Sequence, residues 1–356
     1  LNIYKNRVDN VAYKDDVVNN GSDYHIKTLG SLMKGNEVYD YPISQDKIIA
    51  SVKNAIYPGH LNGMNEADRF QYIEGRYVGT PSVNSISTLP GFNERELMHL
   101  DKTGIFTDDK VLFLTFDDWG SDKAVNHLLY VLRKNNVDAT FFVRTNFVQE
   151  NPNLLRAIAK DGHDIGSHTD NHLPFAISGN LMDEDDTNAT YSSPTEKEIE
   201  ERRQDILISY NKLQSMIGDI QNNGVPALTK ILRPPTLAMS KEGMETILDM
   251  GFTYIVSGDF STHDYEAKSG KELADTIRNG IHLDKDNYRK IQKGSILVMH
   301  MSDDRVIPTD KKDITAEALD IMIPELKKQG YTFAKLSDYL PDTRGSVYSY
   351  SNSDRK

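Results

Sequence analysis

From Lys110 onward the chain repeats one pattern: a short apolar, β-branched or aromatic run, then an amphipathic stretch of helical length, then another run. Val111-Leu112-Phe113-Leu114-Thr115-Phe116 opens the series and reads as a buried strand. A helix over 123–135, a strand over 139–143 and a helix around 153–160 follow, and later strands are expected at 230–232, 254–256, 295–300 and 332–334. Between them lie helical stretches at 195–217, 241–250, 271–279 and 316–329. Strands alternating with helices predict a parallel α/β sheet or barrel, and a barrel gathers the carboxyl ends of its strands at one face.

Composition narrows what that face can do. A formal charge of −12 disfavours nucleic acid or another polyanion as partner, because phosphate binding needs clustered Lys and Arg. With no cysteine in the 356 residues, any metal must sit on His and carboxylate. No run of 18 apolar residues exists to span a bilayer. The chain begins at Leu1 rather than Met, from which we expect a signal or anchor segment to have been removed and the protein to work outside the cell or in a bacterial envelope.

Residues 1–108 are polar, with scattered Tyr, Asn and Gly, and are expected to form an accessory region that ends in the linker-like stretch 78–93. The stretch 174–191, rich in Asp, Asn, Ser and Thr, reads as a polar surface loop, and residues 341–356 as a tail. The chemistry falls in 109–340.

Asp117 and Asp118 follow the first strand directly, so their side chains diverge and one can bind a metal while the other faces substrate. His168 and His172 stand four residues apart, a spacing that would bring both imidazoles to one side of a helical turn. Two imidazoles and one carboxylate form a set suited to zinc and related divalent ions, with positions left open for water and substrate.

Thr115-Phe116-Asp117-Asp118, His168-Thr169-Asp170-Asn171-His172, Arg233-Pro234-Pro235 and Leu297-Val298-Met299-His300 resemble, in order and spacing, the motifs of the polysaccharide deacetylase family, the carbohydrate esterase group with the NodB homology domain. The resemblance covers about residues 110–340 and leaves 1–108 outside. It implies a deformed (β/α) barrel, a divalent metal (zinc first, with cobalt, nickel or manganese as alternatives) and hydrolysis of acetyl groups on a polysaccharide. Position by position, it implies Asp117 as general base, Asp118, His168 and His172 as metal ligands, and Arg233 as the partner that orients the base. It also implies His300 as general acid, the backbone N–H of Thr236 as oxyanion donor and Leu297 as lining for the acetyl methyl. Thr236 stands where Tyr is usual.

The family's Asp-x-x-Asp-Trp motif is irregular here: Asp259-Phe260-Ser261-Thr262-His263-Asp264-Tyr265 has two extra residues and Tyr in place of Trp. We expect Asp264 to set the protonation of His300 and Tyr265 to flank the acetyl pocket, with His263 an adventitious neighbour. Trp119, the single Trp, either stacks on a sugar or packs in the core, and His163 reads as structural. The substrate class is an acetylated polymer such as chitin oligomers, peptidoglycan, poly-N-acetylglucosamine or acetylxylan, N-acetyl before O-acetyl. A small-amide hydrolase and a non-catalytic carbohydrate-binding relative are the competing readings.

Overall fold

The computed structural model describes residues 58–81, 89–100, 106–178, 191–283, 288–301, 313–345 and 347. Most of the expected accessory region, parts of the expected linker and polar loop, and most of the expected tail lie outside the described residues. In chain order the elements that build the scaffold are α1 (Glu66–Glu74), β1 (Tyr77–Val78), α2 (Glu94–Leu100), β2 (Val111–Asp118), α3 (Asp122–Lys134), β3 (Thr140–Val143), α4 (Pro152–Lys160) and β4 (Asp164–Ser167). They continue with α5 (Glu196–Ile217), β5 (Leu228–Leu232), α6 (Lys241–Asp249), β6 (Tyr254–Val256), β7 (Phe260–Ser261), α7 (Gly270–Asn279), β8 (Ile296–His300), α8 (Ile314–Lys328) and β9 (Thr332–Phe333).

Polar side chains start the helices where the strands release the chain. Ser121, Ser240 and Ser269 each accept a backbone N–H at the start of α3, α6 and α7, and Thr195 with Glu198 forms a reciprocal capping box on α5. The strands pair in the order β1-β6-β5-β4-β3-β2-β8-β7, with β9 on the first residues of β2. Every pair in this sheet is parallel.

Residues 257–259 run from β6 to β7 and so join the two sides of the sheet. Ser257 N–H donates to Val78 O at 2.7 Å and Asp259 N–H to Ile296 O at 3.3 Å, which curls the sheet into the expected deformed barrel. The seam needs glycine at position 79: φ is +120°, and a Cβ there would meet Gly258 N and Ser257 Cβ at 2.7 Å. Tyr77 and Val78 of the expected accessory region therefore contribute a strand to the barrel wall.

Strand alternation sorts the core into two layers. Val111, Phe113, Phe142, Ile231, Val256 and Ile296 fill the barrel interior, while Leu112, Leu114, Phe116, Leu297 and Met299 pack between sheet and helices. Burying one such phenylalanine contributes about 1.5–3 kcal/mol, and a one-residue slip would exchange the two layers, so the register is strongly held. That register sets Asp117 beside His300 on one neighbour and Phe142 on the other. Among the described residues no helix is long and apolar enough to cross a membrane.

Candidate metal and acid–base site

Asp118, the last residue of β2, takes φ 70°, an uncommon conformation for a non-glycine residue, and its carboxylate meets the two histidines. Its Oδ1 lies 3.7 Å from His168 Nε2 and 3.6 Å from His172 Nε2, and the two Nε2 atoms are 3.2 Å apart. The helical turn expected for 168–172 is not what joins them. Thr169 (φ 63°) and His172 (φ 62°) are left-handed, and the segment is a loop leaving β4.

The donor set fits a divalent cation on three counts. Asp118 Oδ1 is buried with no hydrogen-bond partner, a costly state that a cation would relieve. His168 Nδ1–H donates to Arg233 O at 2.8 Å, which fixes the tautomer with the Nε2 lone pair facing the cluster. Burial and the neighbouring His168 hold the His172 imidazole down at about 3, against the pull of Asp118, so it too is a neutral donor. The donor separations are close to the edge of about 3.4 Å that a tetrahedron of 2.0–2.2 Å bonds requires. For Asp118 itself, burial raises the carboxyl, but the summed fields of His168, His300, His172 and Arg144 outweigh it and hold it below its ordinary value.

Asp117 lies beside this set and is held differently. Its Oδ1 accepts Arg233 Nη1–H at 2.8 Å, and Arg233 is fully buried. The guanidinium also donates to Thr115 Oγ1 at 2.7 Å, Ser257 O at 2.6 Å and Val256 O at 3.3 Å, and stacks 4.3 Å from the centroid of Phe142. A buried ion pair is seldom more stabilising than apolar residues of the same volume, so stability does not account for one placed at the barrel mouth. The contact fixes where the Asp117 carboxylate points.

His300 closes the third side. Asp264 Oδ1 accepts its Nδ1–H at 2.7 Å, and Oδ2 accepts His300 N–H at 2.7 Å and Thr315 Oγ–H at 2.8 Å. Burial alone lowers the imidazole; the Asp264 charge and hydrogen bond, with Asp118 and Asp117 further out, reverse this and raise it to about 10. Tyr265, 38% exposed, stands edge-on to His300 at 5.4 Å between centroids, with His263 stacked on its other side at 5.6 Å. Thr236 sits in the short turn after Pro234 and Pro235 with φ 57° and ψ 7°.

Packing bears on two further sequence expectations. Leu297 is fully buried among the residues between sheet and helices, on the face opposite His300; Val298 shares the His300 face and packs against Leu237. Trp119 is 5% exposed inside the same outer core, leaving no open ring face for a sugar. Sequence reading also missed Asp205 and Lys212 of α5, which bind the histidine loop through Asn171 and Asp170. The available signal was a pair of charged residues on the face of α5 that carries Ile206, Leu213 and Met216.

A sequence profile described as polysaccharide deacetylase matches residues 105–255. The peptidoglycan-N-acetylmuramic acid deacetylase PdaA of Bacillus subtilis is 30% identical over 235 residues, 66% of this chain and 73% of that protein. The chain belongs to the polysaccharide deacetylase family. With deacetylases as its relatives, it is an enzyme that deacetylates a polysaccharide. A peptidoglycan-N-acetylglucosamine deacetylase of Bacillus cereus is 27% identical over 246 residues, 68% of this chain and 95% of the relative. Among solved structures, a peptidoglycan N-acetylglucosamine deacetylase in complex with 4-naphthalen-1-yl-N-oxidanyl-benzamide matches with a TM-score of 0.52 and 22% identity, over 68% of this chain and 93% of that one. That likeness speaks for the fold, which is the expected barrel.

Proposed function

We propose that this deacetylase is metal-dependent and removes N-acetyl groups from the glycan strands of peptidoglycan, acting in the bacterial cell envelope. The polymer is the one named for its relatives PdaA and the Bacillus cereus deacetylase. The observation that carries the metal reading is the orphaned, buried Asp118 Oδ1 facing two imidazole Nε2 atoms. In this reading Asp118, His168 and His172 hold one divalent cation, zinc first. When bound, the cation would polarise the acetyl carbonyl and make water a better nucleophile near neutral pH.

The remaining chemistry belongs to the chain. Asp117, oriented by Arg233, takes a proton from the attacking water as the water oxygen bonds to the acetyl carbon. The Thr236 backbone N–H is our candidate donor to the oxyanion, and any side-chain role of the usual Tyr is absent. His300, protonated across the neutral range through Asp264, delivers a proton to the departing nitrogen as the C–N bond breaks, leaving acetate and a free amine. Val298 with Leu237 takes over from Leu297 as the surface for the acetyl methyl, and Tyr265 flanks it. We assign residues 109–340 as the catalytic unit and 1–108 as an accessory region that lends β1 to its wall.

The test is acetate release from purified peptidoglycan, chitin oligomers and acetylxylan before chelation, after it, and after adding back Zn²⁺, Co²⁺, Ni²⁺ or Mn²⁺. Release from peptidoglycan that stops on chelation and returns with metal is the expected result. Release indifferent to chelation would reject the metal assignment, and release from acetylxylan alone would reject the substrate.

A further inference from the structure

Helix α5 buries a polar stripe where a helix packed on a sheet ordinarily presents apolar side chains. Arg202, Asp205, Ser209 and Lys212 are spaced by three, four and three residues, lie on one face, and are 5%, 3%, 0% and 1% exposed. All four reach the segment that carries His168 and His172. Lys212 Nζ donates to Asp170 Oδ1 at 2.8 Å, and the same oxygen accepts Thr145 Oγ–H at 2.6 Å. Asp205 Oδ1 accepts Asn171 N–H at 2.9 Å and the Asn171 side-chain amide at 2.8 Å, while Oδ2 accepts Asp170 N–H at 3.3 Å. Ser209 Oγ lies 3.0 Å from Ser167 Oγ, and Arg202 Nε donates to Pro174 O.

Folding alone does not explain this face. A buried Lys–Asp pair is often matched in stability by apolar residues of similar volume, and what the geometry shows is that this one fixes the position of Asp170. The groups it holds need such help. The loop places two residues, Thr169 and His172, in the left-handed region, where non-glycine residues stay only if their surroundings over-determine them. Asp170 and Asn171 sit between those two residues and are the ones gripped from α5.

We propose that α5 is a latch for the metal-binding loop, in which Lys212 and Asp205 are positioning residues that set cation affinity without touching the cation. The inference rests on the reading that Asp118, His168 and His172 hold a divalent ion. Partners that orient metal ligands change metal affinity by about 10–100-fold when removed, which sets the expected size.

The experiment uses the full chain in three forms: wild type, Lys212→Met, and the double variant Lys212→Met with Asp170→Asn. The double variant removes both buried charges and so keeps the fold, even where Lys212→Met alone leaves an uncompensated carboxylate and unfolds. Zn²⁺ dissociation constants come from chelator competition, coordination geometry from the visible spectrum of the Co²⁺ form, and stability from thermal midpoints. The latch predicts a double variant that melts near the wild type yet binds Zn²⁺ about 10–100-fold more weakly, with an altered Co²⁺ spectrum. A double variant with wild-type Zn²⁺ affinity and an unchanged Co²⁺ spectrum overturns it. If the wild type itself binds neither ion, the metal reading fails first, and the latch falls with it.

Discussion

The two ends of β4 carry a buried histidine each, five residues apart, and they are put to opposite use. At the amino end, His163 Nδ1 accepts Ala139 N–H at 3.1 Å and the ring packs 5.2 Å from Phe141. Its neighbour Asp164 accepts from Arg344 at 2.7 Å and from Ser337, so the His163 Nδ1 and the Asp164 carboxylate have protein partners. At the carboxyl end, His168 spends Nδ1–H on Arg233 O and turns Nε2 toward an Asp118 oxygen that has no partner. Burial is the same at both ends. What differs is that Asp164 is satisfied by protein donors, whereas Asp118 Oδ1 has no hydrogen-bond partner and faces two imidazoles. The carboxyl ends of the strands are also where parallel barrels concentrate function.

Three measurements would break or sharpen that contrast. The largest effect belongs to the carboxyl face, where Asp117→Asn is expected to lower kcat by about 10²–10⁴-fold while metal content stays near one ion per chain. Deacetylation at the wild-type rate would remove Asp117 from the role of base. Next comes Asp264→Asn. With its charge gone, burial of His300 is opposed only by Asp118 and Asp117, and the alkaline limb of the rate should move from at or below about 10 toward neutrality, a loss of about tenfold or more near pH 8. A pH profile that keeps its alkaline limb would show that Asp264 does not set the acid.

The smallest effect belongs to the amino end and is one of stability. Burial, with Lys335 and Arg133 nearby, lowers His163 to about 3, below its ordinary 6.5. The unfolded chain therefore binds a proton that the folded chain refuses, and stability falls as pH drops from 6.5 toward 3. The loss is about 2 kcal/mol between pH 7 and pH 5. His163→Gln, which retains an acceptor for Ala139 N–H, should flatten that slope in denaturant titrations and leave kcat unchanged. An equally steep slope in the variant would place the acid sensitivity elsewhere.

Much of the site was legible before folding. Asp117, Asp118, Arg233 and His300 stand at the ends of runs that read as strands, and a parallel barrel brings such ends together, while His168 and His172 were legible from their spacing and their resemblance to a family motif. Residues an odd number apart on a strand face opposite ways, so Leu297, three from His300, faces away from it and Val298 faces with it. The helical turn expected for 168–172 is absent for a different reason: four-residue spacing suits a shared helical face but says nothing of the backbone, and here Thr169 and His172 are left-handed. Trp119 could be settled only by knowing what covers it.

By itself the sequence determined the alternation of strands and helices, the order of the ligand and acid–base residues, and the absence of thiolate chemistry. These depend on spacing over a few residues and on side-chain type, which are local properties. The tertiary structure alone decided that Asp205 and Lys212, 34 and 42 residues beyond their partners, grip the histidine loop, and that β1 joins the barrel wall. Such contacts come from how one layer packs on another, and no local pattern encodes which buried polar side chain will find which loop.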